Sequence, residues 1–150
     1  MSISQLTDIN LLIYAHFPSY PEHEAAKAWL QGQLSAEGLA MPWAVALGFV
    51  RVCTQQKTPS VVQTLGAAWQ RLDAMLDTRK VWLLEPGARH RQILSMLIPL
   101  AGRDQTDVSG DITDLHLVAL AIEHQLTLCA RDRGYARFAS VGLRWQNPLI

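Results

Sequence analysis

Residues 111–132 read DITDLHLVALAIEHQLTLCARD, and this stretch carries the fold. Asp111, Thr113 and Asp114 are the acidic and hydroxyl residues favoured at a helix start. The nearly all-apolar run that follows, as far as Glu123-His124, predicts a buried helix. Leu126 to Cys129 then predicts a short apolar strand, with Asp132 just past its end. A buried helix feeding a buried strand is the unit of a parallel α/β sheet.

The same alternation runs upstream. Ile3–Thr7 is a strand candidate ending at Asp8, and Leu11 to Tyr14 read as the buried start of a helix. Pro21 opens a helix to about Ser35, with Ala25, Ala28, Trp29 and Leu34 on one face. Leu39–Met41 is a short strand, and Trp43 to Val52 is apolar all round, as a buried helix would be. Pro59 opens an amphipathic helix carrying Val62, Leu65, Trp69, Leu72 and Leu76. Lys80–Leu84 (KVWLL) predicts a compact buried strand, and Ala88–Leu100 a helix with Ile93, Leu94, Leu97 and Ile98 inward. Gly102–Gly110 is a polar loop, and Leu143–Trp145 a last strand. Strands separated by helices imply right-handed crossovers and a sheet covered on both faces. Ligands in such folds bind beyond the carboxyl ends of the strands, where Asp8 and Asp132 stand.

At 150 residues the chain is expected to form a single domain over 1–150, burying roughly 69% of its unfolded surface without staples. Hydrophobic residues make up 49% and charged residues 17%, which excludes disorder, coiled coil and a uniformly basic nucleic-acid coat. The formal charge of zero conceals blocks: −3 over residues 1–50, +5 over 51–103, −5 over 104–130 and +3 over 131–150. A surface this poor in charge suggests cover by a partner. Cys53 and Cys129 have no metal-ligand spacing and read as buried thiols. MSISQLTD has neither the basic region nor the apolar run of a secretory signal, and no run reaches the ~18 apolar residues of a membrane span. The expected location is the cytoplasm.

The sequence lacks GxxxxGK[ST], GxGxxG and GxSxG, and His23-Glu24 is followed by Lys27 where a zinc motif needs histidine. Carboxylates remain. Asp8 and Asp132 follow strands, and Asp114 opens an apolar helix. Three acids converging at one sheet end repel unless protonated or holding a cation. Mg²⁺ and Mn²⁺ prefer such oxygen ligands and suit phosphate substrates. From spacing alone the alternative stays open that Asp114 caps a helix and that Asp8 and Asp132 are turn residues.

At these residues a resemblance enters. Asp8-Ile9-Asn10-Leu11-Leu12-Ile13-Tyr14-Ala15 resembles the opening D-x-N-x-L-x-x-A of PIN-domain ribonucleases. Thr113 through His124 is similar to that family's third-acid helix, and Asp132 sits where its fourth acid is expected. Leu143 to Leu149 resembles the close of VapC-type toxins, and Trp43 with Gly48 to Thr54 resembles their middle helix. The likeness spans the whole chain in order. It implies a three-layer α/β/α sandwich around a four- to five-stranded, mostly parallel sheet. It also implies a Mg²⁺- or Mn²⁺-dependent endoribonuclease that cuts RNA with a metal-activated water, checked by a cognate VapB-like antitoxin and commonly a homodimer. Asp8, Asp114 and Asp132 match the catalytic and metal-binding acids.

Two positions depart from the pattern: the usual second acid is replaced by Gly48, and a further acid after Asp132 by Gly134. The loss motivates an alternative, a degenerate PIN binding module whose acids accept a partner's arginine. A phosphotransfer domain with Asp8 as nucleophile ranks last, because Asn10 stands where a second acid is required. For substrate contact the candidates are Asn10, which also has the reach to hold Asp8 in its rotamer, and Arg51 and Arg133, with Arg131 and Arg137 beside them. Asp111 adds charge near the site or simply caps the helix, and His116 reads as a packed or surface histidine. Trp29, Trp43 and Trp69 fall at helical core spacing, which argues against base stacking as their main role.

Overall fold

The computed structural model describes residues 2–55, 63–101 and 112–150. Five strands, β1 (Gln5–Thr7), β2 (Leu39–Ala40), β3 (Val81–Trp82), β4 (Thr127–Cys129) and β5 (Arg144–Gln146), form one sheet in the order β3-β2-β1-β4-β5. All four pairings are parallel, with Leu6 opposite Ala40 on one side of β1 and Thr7 opposite Cys129 on the other. Six α-helices are described: α1 (Ile9–His16), α2 (His23–Ser35), α3 (Trp43–Thr54), α4 (Leu65–Asp77), α5 (His90–Ala101) and α6 (Ile112–His124). A 3₁₀ helix, Arg133–Val141, joins β4 to β5. Successive strand residues point to opposite faces. Leu39 and Ala40, and likewise Leu128 and Cys129, are all fully buried, so both faces of the sheet are covered. This is the expected α/β sandwich.

The strand order fixes where a ligand can sit. The chain winds outward from β1 through β2 to β3, then returns to place β4 on the other side of β1. The crevice beyond the carboxyl ends of β1 and β4 is therefore the topological switch point. Asp8 follows β1 directly, and its backbone N–H donates to the Cys129 carbonyl at 3.2 Å.

Several expected core faces are rotated. In α2 the buried stripe is His23, Ala26 and Leu30, while Ala25 and Ala28 are exposed. Trp29 lies at the edge of that stripe, where its indole N–H donates to the Gln5 side chain at 3.2 Å. In α4 the stripe is Ala68, Leu72 and Met75, leaving Leu65 70% and Trp69 43% exposed. That helix starts at its own cap, Thr64, whose hydroxyl accepts from the Ala67 N–H at 3.1 Å. Pro59, the expected start, and the Gly102–Gly110 loop lie outside the described residues. Helix α3 is not buried all round, since Trp43 and Leu47 are exposed, and Ile98 of α5 points outward. β3 is an edge strand with Trp82 exposed, not a compact buried one. Among the described residues no helix is long and apolar enough to cross a membrane.

Gly38 sets the entry to β2. Its φ is +96°, and a Cβ there would meet the Lys80 carbonyl oxygen at 2.5 Å, in the backbone beside β3. Gly32, inside α2, has open space at the same point. Gly38→Ala is expected to cost more than about 1 kcal/mol, whereas Gly32→Ala gains about 0.5–1 kcal/mol through chain entropy. Urea unfolding midpoints of the two variants check the opposite signs.

Candidate active site

The switch-point crevice is a cavity of about 240 Å³ whose lining includes Asp8, Asp114 and Asp132, with Asn10, Arg51 and Tyr135. Three separate elements deliver the acids. Asp8 is the N-cap of α1, and its Oδ1 accepts from the Leu11 N–H at 3.0 Å. Asp114 stands in the first turn of α6. Asp132 caps the 3₁₀ helix, accepting from the Gly134 N–H at 2.8 Å. The capping and cavity-lining roles therefore coincide at Asp8 and Asp132.

The electrostatics differ from acid to acid. Asp8 is only 6% exposed, and its carboxyl is pushed up to about 7. Burial is the main cause; the Leu11 hydrogen bond opposes it, and the charges of Asp114 and Asp132 add to it. Asp114 is half-buried and accepts from the Tyr135 hydroxyl at 2.9 Å. Burial, then the neighbouring Asp114 and Asp8 charges, raise the Tyr135 phenol far above its ordinary value, so it stays a proton donor. Asp132 is exposed at the rim.

The structure brings Asn10 and Arg51 to the acid cavity and places Arg133 elsewhere, in an adjoining cavity. Asn10 is exposed, and the Asp8 rotamer is held by the Leu11 N–H instead. His116 faces α5, where its Nδ1 shares a hydrogen bond with Nε2 of His90 at 2.9 Å, so it is a packed histidine. Asp111 lies outside the described residues. Burial pushes the Cys53 and Cys129 thiols up to about 11 and about 12, as inert buried thiols. Tyr135 escaped the sequence reading; its only signal was an aromatic residue three positions past Asp132.

A Cβ at Gly48 would lie 2.4 Å from Cδ1 of Ile9 and 3.9 Å from Nη2 of Arg51. The space of the missing second acid is thus taken by an apolar side chain, with a guanidinium beside it.

Three carboxylates around one cavity suit a hard cation by the chemistry of their oxygens. Among the described residues, however, no three His, Cys, Asp or Glu side chains form a ready-made metal cluster. The arrangement fits an ion of the Mg²⁺ type, which keeps several waters and needs only one or two direct carboxylates.

The family model described as PIN domain matches residues 6–141. A VapC ribonuclease from Mycobacterium bovis, Mb2897, is 36% identical over 144 residues, covering 95% of this chain and 93% of the relative. Ribonuclease VapC37 from Mycobacterium tuberculosis is 32% identical and covers 96% of each chain. In three dimensions the chain is similar to VapBC-1 from nontypeable Haemophilus influenzae, with a TM-score of 0.70 and 16% identity over 97% of this chain and 98% of that one.

The raised Asp8 carboxyl has a consequence for stability. In the unfolded chain Asp8 ionises near pH 4, whereas in the metal-free fold it holds its proton to about 7. Stability therefore falls as pH rises between those values and levels off above them. Asp8→Asn, which keeps an acceptor for the Leu11 N–H, removes that slope. It is expected to gain on the order of 3 kcal/mol over the wild type at pH 8 and nothing at pH 4. Urea unfolding with a chelator present, at both pH values, checks it.

Proposed function

The chain belongs to the PIN-domain family, and we propose that it is the toxin of a VapBC-type toxin–antitoxin pair: an endoribonuclease dependent on Mg²⁺ or Mn²⁺. The observation that carries this reading is the convergence of Asp8, Asp114 and Asp132 on one cavity at the switch point of the sheet. The VapC ribonucleases at 32–36% identity over nearly the full chain support the chemistry.

A divalent ion held there would supply charge neutralisation at the scissile phosphate and polarise a water for in-line attack. The chain's own residues do the rest. Asp8 and Asp114 are the acids that would hold the ion directly, and Asp132 would reach it directly or through water. A cation beside Asp8 would favour its ionised form against the burial that chiefly keeps it protonated, with the Asp114 and Asp132 charges adding to that burial. Tyr135 fixes Asp114 by its hydroxyl hydrogen bond and so selects one carboxylate orientation. Asn10 and Arg51, exposed beside the acids, meet the phosphate oxygens of the RNA.

An antitoxin of the VapB type is the proposed partner, in keeping with the toxin–antitoxin complexes among its structural neighbours. A homodimer and a cytoplasmic location complete the reading. The exposed Trp43 and Leu47 of α3 offer apolar surface for such cover.

Cleavage of a structured RNA with and without Mg²⁺ or Mn²⁺ tests the proposal. Asp8→Asn is expected to lose at least about 100-fold in rate. Tyr135→Phe is expected to lose about 10-fold in kcat with KM little changed. Equal cleavage by the wild type and Asp8→Asn would sink the reading. Calorimetry that detects no Mn²⁺ uptake, together with no cleavage, would favour the degenerate binding module, for which the closed space at Gly48 speaks.

A further inference from the structure

A second cavity of about 690 Å³ adjoins the first and shares Asp132 with it; Arg131, Arg133, Trp145 and Asn147 line it. Resting on the ribonuclease reading, we propose that this cavity is a nucleotide subsite. In it the base next to the scissile phosphate stacks on Trp145 while Arg133 and Arg131 hold the adjoining phosphate.

Trp145 is built as a platform. It sits in β5 opposite Leu128, and its indole N–H donates to the Ala130 carbonyl at 3.0 Å. The one polar group of the ring is thereby used, and its orientation is tied to the end of β4. The ring is half-buried and lines the cavity, and its N–H is already given to Ala130. A fixed aromatic face accepts any unpaired base by stacking.

The polar groups around it meet the other demands of a nucleotide. Asn147 uses its Oδ1 to accept from the Leu149 N–H at 3.0 Å. Its amide nitrogen has no acceptor among the described residues and has two donors to give to a base edge. Arg131 is braced, with Nε 3.9 Å from a carboxylate oxygen of Glu22. Arg133 is exposed and forms no ion pair with any described residue. Three acids alone would repel an RNA backbone. Two arginines flanking Asp132 in the chain restore attraction on the side of the second cavity, which adjoins the acids at Asp132. Stacking requires a splayed base, so the subsite takes single-stranded RNA.

Fluorescence anisotropy of a labelled mixed-sequence RNA hexamer, in a chelator so that nothing is cleaved, tests the subsite. Trp145→Leu is expected to weaken binding about 10-fold, and Trp145→Phe to retain most of it. Arg133→Gln is expected to weaken binding severalfold and to flatten the salt dependence by about one phosphate contact. RNA carrying 5-iodouridine, irradiated on the wild-type protein, should cross-link to Trp145. That arm and Arg133→Gln decide the matter if Trp145→Leu fails to fold. Undiminished binding by both Trp145→Leu and Arg133→Gln, cross-links confined elsewhere, or no RNA binding by the wild type overturns the proposal. Binding that depends on Trp145 without cleavage in Mn²⁺ leaves the subsite standing and removes the nuclease reading instead.

Discussion

The burial of Asp8 beside two further acids, Asp114 and Asp132, at the carboxyl ends of two neighbouring parallel strands is the constraint around which the remaining features are arranged. Water would normally screen such a set. Here Asp8 is buried as the cap of α1, so its charge is opposed by desolvation and by its two neighbours together. A protonated Asp8 relieves the strain in the free protein; a cation would relieve it in the loaded one. The same carboxyl is a structural cap of α1 and, under the proposed function, would also be an ion ligand. Its hydrogen bond to the Leu11 N–H serves both, since a carboxylate and a carboxylic acid each keep an acceptor oxygen.

The parts of this site visible in the sequence are those that a strand end dictates. A short strand followed at once by an acid, twice, is legible because parallel sheets put their ligands at that end. What the sequence left ambiguous was decided by packing at a distance. The stripes of α2 and α4 are turned by about one residue, burying Ala26 and Ala68 and leaving Ala25 and Trp69 exposed. Helical period alone does not choose between adjacent stripes in a helix rich in alanine and leucine. Tyr135 and Trp145 were illegible for another reason. Each acts through a single hydrogen bond to a residue far along the chain, Asp114 in one case and Ala130 in the other, and no local spacing encodes such a pair.

Charge arithmetic acquires a spatial meaning in this fold. The zero net charge is a sum of blocks, and the chain folds Asp8 of its first block and Asp114 of its third around the cavity that Asp132, at the start of the last, basic block, also lines. Asp8 and Asp114 face Asp132 across the cavity, while Arg131 and Arg133 lie beside the neighbouring cavity. Arg51, from the second block, approaches from α3. The result is a small acidic centre with cationic edges. Such a layout attracts a polyanion without a uniformly basic surface and concentrates repulsion at the one point where a metal ion can cancel it.

The first turn of α1 joins these threads. Asp8 is held by the Leu11 N–H, and the next residue packs toward α3. Ile9 fills the space over Gly48, where any Cβ would collide with its side chain. That contact ties the start of α1 to α3 and puts the tip of the Ile9 side chain where a side chain at position 48 would begin. With a fourth acid the cavity would carry still more negative charge and ask for more cation. With Ile9 in place it carries three, of which the most buried is already half neutral near pH 7. An apolar contact stands where a fourth charge would, and three acids would ask less of a largely hydrated divalent ion than four.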